Sequence, residues 1–204
     1  MSYDMHLTKK GKTVMLNERH YIKGGTYQVG GTKEAWLNIT YNYSPIFREC
    51  FGNEKGIKVL EGMTAKQSIT VLSEAIAKLS PDDNRGPSRD KLERDLLDIL
   101  NSVRLSMGTE KLTGLSDTPE NEVRQVFKDA ETGADEEMKM KETLLNMMHT
   151  RAVSLLTRLR QVDPVTNTAP AVYWDCTPAN ARESLVLLLL LATLAPEDSV
   201  WMID

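Results

Sequence analysis

A glycine-rich run, Lys23-Gly24-Gly25-Thr26, is the part of this sequence best suited to chemistry on an anion. It places a cation, flexible backbone amides and a hydroxyl within four residues. Elements of this kind hold a phosphate through N–H groups and a point charge. The run is neither a Walker A loop nor a GxGxxG fingerprint. It predicts a phosphate-binding turn or, as the alternative, tight turns between short strands.

Flat rings and side-chain amides surround this run. A base can stack on Tyr and Trp rings, and Asn can both donate to and accept from a base edge. The candidate ligand-binding residues are His20, Lys23, Gly24, Gly25, Thr26, Tyr27, Trp36, Asn38, Thr40, Asn42 and Tyr43. In this hypothesis Lys23 contacts a phosphate, and Trp36 or Tyr43 stacks on the base. Asn38 and Asn42 contact the base edge, so the strand face at 36–42 should line an electropositive pocket.

The same residues have a structural interpretation. Each aromatic ring could pack in the core, and the polar strand face could be buried under other parts of the chain or in a subunit interface. Asn180, just inside the last predicted helix, is either a further polar contact or an ordinary helix-start residue.

Other reactive residue types lack the spacing of known sites. The histidines and cysteines form no CxxC, HxxxH or HExxH pattern, so we expect no metal site. There is no GxSxG elbow, and Cys50 lies in the apolar run FRECF, where packing is the usual role. We therefore expect no catalytic residues, no cofactor and no enzymatic activity. A nucleotide hydrolase that uses His20 with Glu18 is the enzymatic alternative.

Composition bounds the class of protein. The chain has 204 residues, 41% apolar and 26% charged, with a net charge of −4, which suits one domain or two small ones. Two cysteines exclude a disulfide scaffold. No Lys/Arg cluster with interleaved aromatics is present, so we expect no nucleic-acid partner. The first 81 residues are mildly basic, which is compatible with an anionic ligand as well as with ordinary surface charge.

The most apolar stretch runs from Leu185 to Ala195. Its eleven residues fall short of the roughly 20 that a membrane span requires. We predict a helix buried on nearly all sides and no membrane association. The chain opens without a basic-then-apolar leader, so a cytoplasmic protein with reduced thiols is expected.

Alternation and turn residues predict strands only near the start of the chain. Residues 2–7 and 13–16 should form a hairpin around the loop TKKGK, and 26–29 a very short strand. A further strand at 36–43 should point Leu37, Ile39 and Tyr41 toward the core.

Helix-start signals and apolar stripes predict six helices. Ser44, Thr118 and Thr177 each precede a proline and should act as caps, and Thr64 with Gln67 fits a capping box. The predicted helices span residues 45–51, 64–79, 89–107, 119–131, 136–161 and 178–194.

Two loop-like segments, 80–88 and 162–170, bracket a charged helical middle. The predicted fold is α+β: a small antiparallel sheet packed with helices in a base domain of residues 1–80 and 171–204, plus an all-helical insertion at 81–170. The long apolar stripes on two insertion helices predict a homo-oligomer. The alternative is that the insertion helices close on one another as a three-helix unit.

Three runs carry a family resemblance: HYIKGGTYQVGGTKEAWLNITYNYSPIF, FGNEKGIKVLEGMTAKQSITVLSEAIAKL and YWDCTPANARESLVLLLLLATLAPEDSVWMID. They resemble short uncharacterised proteins of bacteriophages and prophages of gut Firmicutes. In these relatives the parts that match 1–81 and 171–204 are joined by only a few residues. The resemblance covers nothing of 82–170 and supplies no catalytic residues. It implies a phage protein in the host bacterial cytoplasm.

Phages encode many small accessory proteins that counter host defence, so the resemblance frames two hypotheses. The first is a non-catalytic binder that sequesters a small anionic, nucleotide-like host immune signal. The alternative is a protein-binding inhibitor or accessory factor that engages a host protein through its helical insertion.

Overall fold

The computed structural model describes residues 2–20, 31–132 and 139–204. It has the mixed α+β fold with small antiparallel sheets that the sequence predicts. The chain divides into two compact units. The first unit comprises Met1–Asn84 and Ala171–Asp204, and the second unit comprises Arg85–Pro170. The predicted strand at 26–29 lies outside the described residues.

Within the described ranges the strands are short and the helices carry most of the ordered chain. The strands are β1 (Ser2–Lys9), β2 (Lys12–Thr13), β3 (Met15–His20), β4 (Thr32–Glu34), β5 (Trp36–Thr40), β6 (Arg85–Ser88), β7 (Thr168–Pro170) and β8 (Val200–Ile203). The helices are α1 (Ser44–Phe51), α2 (Ala65–Ala77), α3 (Arg89–Ser106), α4 (Pro119–Thr132), α5 (Lys139–Arg160) and α6 (Pro178–Leu194). Each predicted helix is confirmed to within two residues at either end within the described ranges, and residues 136–138 of the fifth lie outside them.

Strand β1 organises the main sheet because it pairs antiparallel with β2, β5 and β8. The predicted hairpin is present between β1 and β2, but its loop is shorter than TKKGK and the predicted strand at 13–16 is divided between β2 and β3. Its two turn residues, Lys10 and Gly11, have φ of 52° and 74°. Two successive positive φ angles indicate a type I′ turn, whose twist matches that of paired strands.

Strand β5 is shorter than predicted. It ends at Thr40, and Tyr41–Tyr43 form a 3₁₀ turn whose cap is Thr40. The hydroxyl of Thr40 accepts from the backbone N–H of Asn42 at 3.3 Å, and this local bond competes with continued pairing. The change from strand to turn alters the direction of every side chain after Thr40.

The core of the first unit lies between one face of the sheet and helices α1, α2 and α6. Alternate residues of β1 and β5 enter it, as do Trp201 and Ile203 of β8. The indole N–H of Trp201 donates to the hydroxyl of Ser68 on α2 at 2.8 Å, so this buried polar group is satisfied.

Helix α6 differs from the prediction of burial on nearly all sides. Leu185, Leu188 and Leu191 are buried, but the side chains of Val186, Leu190 and Leu194 form an exposed row at i, i+4 and i+8. Only one stripe of the helix faces the core, although the sequence is apolar all round. Of the helices in the described ranges, none has the length and hydrophobicity that a membrane span requires.

In the second unit, α3, α4 and α5 pack on one another around their own apolar cluster. The unit is helical as predicted except at its two ends. Parts of the two segments taken as linkers pair as an antiparallel ribbon, with Arg85 opposite Pro170 and Ser88 opposite Thr168. Local sequence could not indicate this pairing, because both segments have turn-like composition and meet only in the folded chain.

Of the four predicted caps, two are confirmed and one is wrong, and the cap at Thr118 stays a prediction. Thr64 and Gln67 form both bonds of a capping box, and Thr177 accepts from the N–H of Asn180 at the start of α6. Ser44 does not cap α1. It lies inside the first turn, and its hydroxyl donates to the carbonyl of Tyr41 at 2.7 Å.

Candidate functional site

The second face of the main sheet carries polar and aromatic side chains. The β1–β5 register places Ser2 opposite Thr40, Asp4 opposite Asn38, and His6 opposite Trp36. Side chains at facing positions of an antiparallel pair lie about 5 Å apart. All six residues are half-buried and lie outside the apolar core. We call these six residues the polar sheet face.

Asn38 is held at the centre of the polar sheet face. Its side-chain N–H groups donate to the hydroxyl of Ser2 at 2.8 Å and to the carboxylate of Asp4 at 2.7 Å. Both amide hydrogens are thereby used. The amide oxygen of Asn38 and the second carboxylate oxygen of Asp4 have no hydrogen-bond partner among the described residues. The face therefore offers two fixed acceptors to a ligand.

Next to these acceptors lies a flat aromatic surface. The rings of His6 and Trp36 are stacked, with centroids 6.0 Å apart and planes inclined by 29°. Met202 of β8 pairs with His6 and is exposed, so it extends the apolar part of this surface. A planar ligand could lie on these side chains while its edge meets Asp4 and Asn38.

The described part of the face does not by itself supply the positive charge of the predicted electropositive pocket, and that expectation stays a prediction. Within the described ranges, the three cross-strand pairs contain the carboxylate of Asp4 and no Lys or Arg. The predicted phosphate-binding residues lie outside the described residues, and so does Tyr27. The phosphate-binding residues are Lys23, Gly24, Gly25 and Thr26.

His20 lies on a separate two-stranded ribbon formed by β3 and β4, at the last described pair before the glycine-rich run. Its ring Nε2 is 2.6 Å from the carbonyl oxygen of Glu34, so this nitrogen carries the proton and donates. The bond gives His20 a role in holding the ribbon. Glu18, its partner in the hydrolase alternative, is exposed on the same strand.

Asn42 and Tyr43 do not contribute to the polar sheet face, which corrects their predicted roles. Tyr43 is only 2% exposed, so no base can stack on its ring. Its hydroxyl donates to the main-chain carbonyl of Tyr173. The side-chain amide of Asn42 donates to the carbonyl of Trp174 at 3.0 Å. Both residues therefore hold the segment before α6.

Asn180 holds the same segment from the other side. Its amide donates to the carbonyls of Val172 at 2.8 Å and Asp175 at 3.0 Å. The carboxylate of Asp175 accepts from the N–H of Val172 at 2.8 Å and closes the turn. We call residues 172–175 the aromatic loop. Asn180 is thus an anchor of this loop as well as a helix-start residue.

The aromatic loop presents two exposed rings. Tyr173 is 53% exposed and Trp174 is 43% exposed, and their centroids lie 4.7 Å apart in an edge-to-face arrangement. Exposed aromatic side chains on a fixed backbone bind partners at low entropic cost. This pair was not among the predicted site residues, although a Tyr-Trp dipeptide directly before a capped helix start is a sequence signal for it.

Protonation favours a structural role for Tyr43 and neutral thiols at the two cysteines. Burial raises the pKa of Tyr43 well above its usual range, and the nearby charge of Glu183 adds to the effect. The hydroxyl therefore stays a donor at neutral pH. Burial also raises the pKa of the Cys50 thiol to about 11 and raises the pKa of Cys176. Thiols in this state are unlike the activated thiolates of catalytic sites.

Among the described residues, no group of three or more His, Cys, Asp or Glu side chains could hold a metal ion. Comparison with known proteins finds no matching family model and no significantly similar curated protein or solved structure.

Proposed function

We propose that this chain is a non-catalytic phage accessory protein that sequesters a small nucleotide-like host signal in the bacterial cytoplasm. The polar sheet face receives the base of that ligand. The observation that carries the proposal is the placement of the stacked His6 and Trp36 rings beside the acceptors of Asp4 and Asn38. The resemblance to phage proteins supports the part of the proposal that places the chain among phage proteins in the host cytoplasm.

The chemistry of the face favours a particular base edge. The unpaired oxygens of Asp4 and Asn38 accept hydrogen bonds, so they suit a base that presents N–H groups. The free oxygen of Asp4 and the amide oxygen of Asn38 could each accept from one N–H group of the same base edge. Base stacking on Trp36 would add about 1–3 kcal/mol.

The phosphate of such a ligand needs cations that the described part of the face lacks. Lys23 is the predicted source. Strand β4 leads from the glycine-rich run to Trp36, because it ends at Glu34, two residues before that ring. In sequence, the run is therefore closer to Trp36, at the start of β5, than to Thr40 at its end.

Calorimetry with nucleosides and with linear and cyclic nucleotides tests the proposal. Trp36→Leu removes the flat ring and keeps apolar bulk, so we expect it to weaken binding by about 1–3 kcal/mol. Trp174→Leu is the matched control, because it removes an exposed indole outside the face. No heat from any ligand, or an equal loss in both variants, would overturn the assignment.

The aromatic loop favours a second candidate function, a protein-binding factor. Tyr and Trp dominate the energetic centres of protein interfaces, and Tyr173 and Trp174 are exposed on a braced backbone. This surface lies in the first unit, whereas the sequence-based hypothesis placed the protein-binding surface on the helical insertion. A Tyr173→Ala/Trp174→Ala protein that still inhibits host defence, while Trp36→Leu does not, would exclude it.

A further inference from the structure

A groove in the second unit runs between α4 and α5 and encloses about 480 Å³. Pockets for small ligands commonly measure about 300–1,000 Å³. The groove lies in the part of the chain that the phage resemblance does not cover. The groove shares no residue with the polar sheet face, so a ligand site there is independent of the proposed function.

The floor of the groove is apolar. Val123 and Phe127 of α4 and Leu156 of α5 are buried beneath it, and Val153 is 46% exposed along its α5 wall. The ring of His149 lies over Phe127, with centroids 4.7 Å apart and planes inclined by 35°. His149 is half-buried, so one part of its ring faces the groove and offers a flat surface to a ligand.

The α4 rim of the groove carries two cations, together with the acidic residues Glu120 and Glu131. Arg124 and Lys128 stand one helical turn apart, and both side chains are exposed. Neither has an ion-pair or side-chain hydrogen-bond partner among the residues that the structure describes. The other rim cation, Arg160, is neutralised by Glu120 at 3.0 Å. Glu131 is the remaining acidic group of the lining.

We infer that the α4–α5 groove is a binding site for a small anion that carries an aromatic ring. The ring packs on His149 and Val153, while the anionic group reaches Arg124 and Lys128. An inorganic anion would leave the apolar wall uncovered, and an uncharged ring would leave the two cations unpaired. The combination therefore selects ligands that have both parts.

The probe that tests the site is 2-naphthyl phosphate, compared with 2-naphthol and with inorganic phosphate. Chemical shifts of the amide groups of α4 and α5 and calorimetry report on binding to the full chain. We expect 2-naphthyl phosphate to bind at least ten-fold more tightly than either part alone. No shift changes with 2-naphthyl phosphate, or equal affinity for inorganic phosphate alone, would overturn the inference.

Matched variants locate the binding. Arg124→Gln/Lys128→Gln should weaken it by about ten-fold or more, the effect of losing a charge-assisted hydrogen bond. Arg124→Lys/Lys128→Arg should retain it. Lys111→Gln/Arg151→Gln removes the same charge from exposed positions outside the lining and should leave affinity unchanged.

Both glutamine substitutions of the first variant are at exposed positions, and circular dichroism verifies its fold. An equal loss in the Lys111/Arg151 variant would show non-specific attraction and reject the site. A loss in Trp36→Leu would place the probe on the polar sheet face instead. The groove is tested with 2-naphthyl phosphate and the proposed function with nucleosides and nucleotides, so the failure of one proposal is distinguishable from the failure of the other.

Discussion

The side-chain amide of Asn42 donates to the main-chain carbonyl of Trp174 across 132 positions of sequence. With the bond from Tyr43 to the carbonyl of Tyr173, it fastens the 3₁₀ turn after β5 to the aromatic loop before α6. Residues that looked like ligand contacts are therefore braces for a neighbouring surface. Strand β5, which carries half of the polar sheet face, ends directly before these two donors, and the aromatic loop supplies the two carbonyls that accept from them.

Removing the Tyr43 hydroxyl should loosen the aromatic loop. Tyr43→Phe keeps the buried ring and deletes the donor, so we expect a loss of about 1–3 kcal/mol in the free energy of unfolding, because a carbonyl is left unsatisfied. Urea denaturation measures the loss, and fluorescence anisotropy of the tryptophans reports loop motion. Tyr41→Phe, on the half-buried residue of the same turn, is the control. Equal stability in both variants would contradict the brace.

The same residue predicts an alkaline instability. Because the pKa of Tyr43 is raised in the folded state, its contribution is fully present below the unfolded value of 10.0 and is lost as pH rises above it. In that range the unfolded chain loses a proton that the folded chain keeps. The free energy of unfolding should fall by up to about 1.4 kcal/mol per pH unit. Denaturant midpoints between pH 9 and 11.5 should fall less steeply in Tyr43→Phe, and identical slopes would refute the assignment.

The first unit should fold without the second. Its core contains β1, β5, β8, α1, α2 and α6. The hydroxyl of Thr177 donates to the side chain of Asn84, and the N–H of Ala179 donates to the carbonyl of Asp83, so these bonds at the start of α6 also lie within the first unit. Replacing residues 86–169 with a short Gly/Ser linker should leave a soluble protein with a single cooperative urea transition. An aggregated or non-cooperative product would show that the first unit needs the second.

The exposed row on α6 predicts self-association. Val186, Leu190 and Leu194 are uncharged and one turn apart, and an exposed apolar stripe of this kind commonly marks an interface. Leu190→Lys should shift the protein toward monomer in light scattering at micromolar concentration. Leu144→Lys, at an exposed position of α5, tests the surface that the sequence favoured. A wild-type monomer of 22.9 kDa would reject both.

Helix placement was accessible from sequence because its causes are local. The Thr64–Gln67 capping box, the Thr177 cap and the 3.6-residue apolar stripes act within one or two turns. The alternation of Leu37 and Ile39 likewise identified the buried face of β5. A local signal was wrong at Ser44, because its hydroxyl donates to the carbonyl of Tyr41 and does not cap α1.

The roles of the candidate site residues depended on distant contacts. Sequence alone established the residue types on the polar sheet face, since strand alternation places Trp36, Asn38 and Thr40 together. Only the tertiary structure showed that Asp4 and His6 complete that face, and that Asn42 and Tyr43 instead hold residues some 130 positions away. Backbone periodicity is a property of neighbouring residues. Strand register and side-chain bonds to remote carbonyls are set by the packing of the whole first unit, and no local pattern encodes them.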